Sequence, residues 1–175
     1  MPEVDVFIAL GSNLNPMLNI PQALELLADH APITGLSRLY LTDPVGPTRQ
    51  PDFVNGVVRI RTSLPPLALK QQVLRKIEAQ LGRTRGEDKF APRTIDLDIL
   101  LYGDMEMNTP DLRLPDPEIL ERAFIARGLL DIDPALVLPG SSAKLASVAP
   151  RLKGALVLLR FTEILHARHG VSAKL

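Results

Sequence analysis

Apolar and polar residues alternate from Val4 to Leu10, with Val4, Val6, Ile8 and Leu10 on one side, and the run ends in the turn-forming segment Gly11–Pro16. This predicts a first strand entering a loop. The period then changes: Ile20, Ala23, Leu24 and Leu27 fall at i, i+3, i+4 and i+7, predicting a helix with Asn19 as N-cap and Pro21 in its first turn. ITGLSRLYLT, residues 33–42, reads as one second strand, and DPVGPTRQPD after it as a stiff, proline-rich loop. Along Phe53–Arg61, Val54, Val58 and Ile60 share a face opposite Phe53 and Asn55, which predicts a third strand. Ser63–Gly82 has prolines at its start, the stripe Leu67, Leu74, Ile77 and Leu81, and a terminal glycine, the pattern of a second helix with Glu78 beside the stripe. After a charged loop comes PRTIDLDILLYGD, a strand with Ile95, Leu97, Ile99 and Leu101 on one face and Asp96 and Asp98 on the other.

Strand, helix, strand, strand, helix, strand is the order of a ferredoxin-like α+β fold, an antiparallel sheet with both helices packed on one face. The opposite face is then free for a site. Beyond Gly103 the pattern becomes irregular, with short helices and turns, and from Gly154 the segment ALVLLRFTEILHARHG predicts an amphipathic C-terminal helix with Leu158, Phe161, Ile164 and Leu165 on its apolar side. Residues 1–153 therefore read as one domain and 154–175 as a helical tail.

Composition removes several function classes. With 20 basic and 20 acidic residues there is no global field for nucleic acid or an anionic membrane. The absence of cysteine excludes disulfides and thiolate metal sites. No secretory leader pattern and no apolar stretch of about 18 residues is present, so a cytoplasmic protein is expected; a monomer is expected as well.

The chemistry concentrates around Asp96 and Asp98. At roughly 6.5 to 7 Å between their backbones, two such charges repel by about 2 to 3 kcal/mol at an effective dielectric near 20, so a cation should sit beside them. An isolated D-x-D is most often a solvated strand face. Here the strand is otherwise apolar and Arg83, Arg85, Lys89 and Arg93 crowd the loop before it, a combination suited to Mg²⁺ and phosphate. There is no G-x-x-x-x-G-K-[ST], no dinucleotide fingerprint and no G-x-S-x-G. Glu163, His166 and His169 fall at helical spacing, but such histidines are usually exposed polar residues. Phe53 and Phe90, flanking Asn55, suit a flat heterocycle held by stacking and read by an amide. Arg122 reads equally as a surface residue and as a phosphate ligand.

FIALGSNL, TDPVGPTRQPDFVN, IEAQLGRTR and APRTIDLDILLYG together resemble the 6-hydroxymethyl-7,8-dihydropterin pyrophosphokinases of folate biosynthesis, in order from Val4 to Pro139 and more faintly to Lys153. The resemblance implies transfer of pyrophosphate from ATP to the pterin alcohol, with AMP released. It implies that Asp96 and Asp98 hold two Mg²⁺ ions and that Arg83 and Arg93 grip the phosphates. It further implies nucleotide contacts at Arg75, Glu78, Arg85, Phe90, Ile99, Asp116 and Arg122, and a pterin pocket of Thr42, Asp43, Val45, Phe53, Asn55 and Phe124. Residues 83–92 resemble a mobile lid. Asp116 stands where the family usually has histidine, Phe90 where many members have tryptophan, and Arg75 where some have glutamine. The alternative is a catalytically weakened homologue that binds pterin or nucleotide, motivated by Asp116; a Mg²⁺-dependent phosphoesterase is a third reading.

Overall fold

The computed structural model describes residues 2–46, 49–84, 86, 90–149 and 157–158. β1 (Val4–Ser12) lies between β4 (Phe53–Thr62) and β5 (Asp96–Tyr102), antiparallel to both, and β2 (Ile33–Leu36) and β3 (Tyr40–Thr42) pair with the far edge of β4. α1 (Pro16–Ala28) follows β1. A second helical run links β4 to β5: α2 (Pro66–Ala68), a π-helical stretch (Leu69–Leu74) and α3 (Arg75–Gln80). This is the ferredoxin-like α+β arrangement that the order of elements predicts.

Strand alternation sorts the core. Val6, Ile8, Leu10, Val54, Val58, Ile60, Leu97 and Ile99 point to the helices, where Ile20, Leu24, Leu27, Leu69, Leu74 and Ile77 close over them. Burying one such side chain contributes about 1.5 to 3 kcal/mol, so a one-residue slip that turned a whole strand face to water is strongly disfavoured.

The structure corrects several sequence expectations. Residues 33–42 are two strands, because the chain leaves the ladder at Ser37–Leu39. α1 starts earlier than expected, at Pro16, with Asn15 as N-cap in the left-handed region; Asn19 lies inside the helix and donates from Nδ2 to the Leu14 carbonyl at 2.5 Å. Pro21 is consequently past the first turn. In β5, Ile8 faces Ile99 while Phe7 faces Leu101, so Leu100 is an inserted residue. This bulge turns Leu101 away from Leu97 and Ile99, onto the opposite face with Leu100 and Phe7.

The second sheet face is only partly free. α4 (Ala123–Ile132) and α5 (Leu145–Val148) pack there, and Phe124, Ile125, Leu129 and Leu145 form a second apolar cluster with Phe7, Tyr40, Val57, Leu100 and Leu101. A short hairpin, β6 (Met107–Asn108) and β7 (Arg113–Leu114), and a 3₁₀ turn (Pro117–Leu120) lead into α4. In the tail expected to be helical, Val157–Leu158 form β8, a strand antiparallel to Tyr40–Leu41 of β3; the other residues of 154–175 lie outside the described part.

Candidate active site

α4 leaves one end of that sheet face open as a cleft of ≈ 210 Å³. Its floor is Ala9, Asn55, Asp96 and Asp98, and Thr42, Asp43, Phe53, Phe90, Arg93, Asp116, Arg122 and Phe124 stand around it. Because Asp98 opposes Ala9 across the β1–β5 ladder, a small side chain beside it leaves the carboxylate facing open space.

Asp96 is clamped. Arg83 Nη1 donates to one of its carboxylate oxygens and Arg93 Nη1 to the other, and Arg83 also donates to Glu78. Glu78, 2% exposed, in turn accepts the Leu97 backbone N–H at 2.9 Å, so α3 and β5 are joined at the strand bearing the aspartates. Asp98 has no ion-pair partner among the described residues. Enclosure by surrounding protein, then the Asp96 carboxylate, then Glu78 push its carboxyl up to about 7, against the opposing pull of Lys70 and Arg83. Asp98 still borders the open cleft and is solvent-accessible, so a cation entering there reaches it directly.

Two carboxylates on one strand face, one without an ion-pair partner among the described residues, fit an oxygen-seeking divalent ion completed by phosphate and water. No cluster of three or more acidic or imidazole side chains arranged for metal occurs among the described residues, so the protein alone supplies only part of such a coordination shell.

The other end of the cleft has a different character. Asn55, buried, donates from Nδ2 to Thr42 Oγ1 at 2.7 Å, which fixes the orientation of its amide. Phe53 and Phe124 flank it, and Phe90 rises from the 83–92 loop against Gly46, taking the space in which a Cβ on that residue would lie. Asp43 and Val45 stand exposed at the rim.

Of the sequence-predicted residues, Asp96, Asp98, Arg93, Phe90, Asp116, Arg122, Thr42, Asp43, Val45, Phe53, Asn55 and Phe124 line one cleft. Arg83 and Glu78 stand behind Asp96. Arg75 is on the exposed side of its helix, Ile99 has its side chain in the core away from the cleft, and Arg85 lies outside the described residues. Asp116 accepts the Glu118 N–H at 2.8 Å as cap of the 3₁₀ turn, so its carboxylate is engaged locally; burial nonetheless raises its pKa, with that hydrogen bond opposing the rise. Arg122 pairs with Glu118 at 3.1 Å.

Sequence reasoning missed Asn13 and Gln50. Asn13, buried after β1, donates from Nδ2 to Gln50 Oε1 at 2.8 Å and to the Pro51 carbonyl at 3.1 Å, and its Oδ1 accepts the Arg93 N–H at 2.7 Å. Gln50 donates to the Phe90 carbonyl at 2.9 Å. Three loops around the cleft are thus joined through one amide. A loop asparagine carries no periodic signal that would reveal this.

The family model for 7,8-dihydro-6-hydroxymethylpterin-pyrophosphokinase (HPPK) matches residues 7–134. The chain belongs to this family. A Pseudomonas aeruginosa 2-amino-4-hydroxy-6-hydroxymethyldihydropteridine pyrophosphokinase is 44% identical over 138 residues, covering 77% of this chain and 83% of that one. The Bacillus subtilis protein of the same name is 43% identical over 129 residues, 72% and 76% of the two chains. This chain is accordingly a pyrophosphokinase, a diphosphotransferase. Among solved structures, an HPPK-DHPS in complex with substrates superposes with a TM-score of 0.67 at 14% identity over 99% of this chain and 47% of that chain. A Plasmodium falciparum HPPK-DHPS with pteroate gives 0.65 at 14% identity over 98% and 45%. This chain spans less than half the length of those two, and the likeness establishes the fold. Among the described residues no helix is long and apolar enough to cross a membrane.

Proposed function

We propose that this pyrophosphokinase transfers the β,γ-pyrophosphoryl group of ATP, as a Mg²⁺ complex, to the hydroxymethyl oxygen of 6-hydroxymethyl-7,8-dihydropterin, releasing AMP in folate biosynthesis. The observation that carries this reading is the joining of two unlike half-sites in one cleft: paired aspartates with two arginines at one end, and a buried amide between aromatic rings at the other. The names of the relatives at 43–44% identity support the pterin as acceptor of pyrophosphate.

In this reading the heterocycle stacks on Phe53 and Phe124 while Asn55 hydrogen-bonds its edge, which places the alcohol toward Asp96 and Asp98. The alcohol oxygen bonds to the β-phosphorus, the bond from that phosphorus to the α,β-bridging oxygen breaks, and the alcohol proton leaves toward Asp96 and solvent. Two Mg²⁺ ions, held by Asp96 and Asp98, would offset triphosphate charge and favour in-line displacement. Arg83 and Arg93, which neutralise Asp96 in the free protein, pass to phosphate oxygens when nucleotide arrives. Phe90 shields the reacting atoms from water.

The test is a product assay with ATP, Mg²⁺ and the reduced pterin. AMP should appear in step with pterin pyrophosphate and vanish when either pterin or Mg²⁺ is omitted. Pterin binding without AMP would favour the non-catalytic homologue, and orthophosphate release without pterin would favour a phosphoesterase.

A further inference from the structure

A polar cluster outside the cleft, buried at Tyr40 and at the Asp131 carboxylate, ties its two walls together. Where the chain leaves the ladder between β2 and β3, three donors of Arg38 converge on the Asp131 carboxylate: its backbone N at 3.1 Å, Nε at 3.0 Å and Nη2 at 2.5 Å. The Tyr40 hydroxyl donates to the same carboxylate at 2.7 Å. The Asp131 side chain is 7% exposed and that of Arg38 42%. A carboxylate with four donors is held in one position, and releasing the Tyr40 hydroxyl leaves buried polarity without that partner.

Both ends of this cluster continue into the pocket assigned to the heterocycle. Tyr40 and Thr42 lie on the same short strand; Tyr40 faces Asn55 in register, and Thr42 accepts the Asn55 amide. Asp131 lies about two turns along α4 from Phe124, on the same side of the helix. α4 transmits position between them because it is seated directly on β4: a Cβ on Gly128 would come within 2.6 Å of Val57 Cγ2, so only glycine permits this approach. On its other edge, β3 pairs with β8, Tyr40 opposite Leu158.

We propose that Asp131 is the positioning residue of the heterocycle pocket, fixing through Tyr40 and α4 the separation between the Thr42–Asn55 wall and the Phe124 wall. It touches neither substrate. The inference rests on the pterin reading of the cleft and adds the element that sets its width. Burial, and secondarily the bond to Asp131, keep the Tyr40 phenol protonated well above its ordinary range, so the donor persists throughout the working pH range.

Tyr40→Phe removes one donor and retains the Arg38–Asp131 pair; Asp131→Asn removes the charge, and Asp131→Glu restores it one methylene displaced. With 6-hydroxymethylpterin fluorescence as probe and a non-hydrolysable ATP analogue bound, Tyr40→Phe should raise the pterin Kd about five-fold, and Asp131→Asn more, with the analogue's own Kd unchanged. Asp131→Glu should recover part of the loss, and Tyr40→Phe should add little in the Asp131→Asn background. Amide exchange at Thr42 and Asn55 should quicken in Tyr40→Phe without any ligand. Folded variants with wild-type pterin affinity and exchange, or an equal loss of pterin and nucleotide affinity, would overturn the proposal; if Asp131→Asn does not fold, Tyr40→Phe decides it. Wild-type protein that binds no pterin would overturn the functional reading instead, and the exchange measurement still decides whether this cluster positions Thr42 and Asn55.

Discussion

Glu78 accepts the backbone N–H of Leu97, the residue between Asp96 and Asp98, so the carboxylate that anchors the strand also partners the arginine that neutralises Asp96. Glu78, Arg83, Asp96 and Arg93 contain two charges of each sign and satisfy one another. Among the described residues Asp98 has no ion-pair partner, so in the free protein Asp96 is held by two arginines while Asp98 stands open to a cation.

Removing Glu78 should therefore damage fold and site together. Glu78→Ala leaves a buried N–H without an acceptor and Arg83 with one carboxylate fewer, and should cost about 3 kcal/mol in urea unfolding. Glu78→Gln keeps an acceptor for Leu97 and should cost about 1 kcal/mol, while turnover falls because Arg83 then bears wholly on Asp96. Equal stability of the two variants would show that the Leu97 bond contributes nothing.

Asp98 should be dispensable for folding and required for chemistry. Its carboxyl is raised to about 7 in the folded chain, against about 3.9 in an unfolded one. Between those values the folded state holds a proton that the unfolded state has lost, so the Asp98 contribution to stability falls as pH rises through this window and levels off above it. Asp98→Asn should remove that part of the pH dependence, melt no lower than wild type at pH 8, and lose turnover. A variant with unchanged pH dependence would show that Asp98 titrates normally; one with full turnover would remove it from the reaction.

The strand faces were legible in the sequence because their period is local. Asp96 and Asp98 share a face, and Phe53 and Asn55 share another, whatever the rest of the chain does. Three features depended on distant contacts and left no such trace. The bulge at Leu100 follows from fitting β5 to β1, and it turns Leu101 onto the α4 side. The break at Ser37–Leu39 is filled by Ser37, whose backbone N–H donates to the Val57 carbonyl and whose Oγ accepts the Val57 N–H, so a broken ladder still reads as a continuous apolar run. Asn13 and Gln50 act through single amides in loops. Arg83 and Glu78 were identified by family resemblance as nucleotide contacts, whereas the geometry gives both a prior role in holding Asp96.

Asp116 carries two effects at one position. Its carboxylate caps the 3₁₀ turn, while its charge lies beside the cleft. Asp116→Asn keeps an acceptor for the Glu118 N–H and removes the charge; it should leave stability unchanged and tighten ATP binding about three-fold if the carboxylate repels phosphate. Asp116→Ala should instead lose about 1 kcal/mol of stability with the cap. Calorimetric titration with ATP and Mg²⁺ distinguishes the cases, and an unchanged Kd for Asp116→Asn would mean that Lys70 and Arg122 already offset the carboxylate.

Thr42 and Asn55 give the sharpest division between the half-sites. Thr42→Val preserves shape and strand preference but removes the oxygen that accepts the Asn55 amide, leaving a buried N–H free to turn. Pterin affinity should fall about ten-fold, because a misoriented amide presents a donor where an acceptor is needed. Asn55→Ala should lose at least as much, and Thr42→Val should add little in its background, since the hydroxyl acts through the amide. ATP affinity should be unchanged in both variants, because the Thr42–Asn55 hydrogen bond and the arginine–aspartate bonds share no residue. Calorimetry with the pterin and, separately, with the ATP analogue measures this, and comparable losses for both ligands would mean that the cleft is not divided between heterocycle and nucleotide.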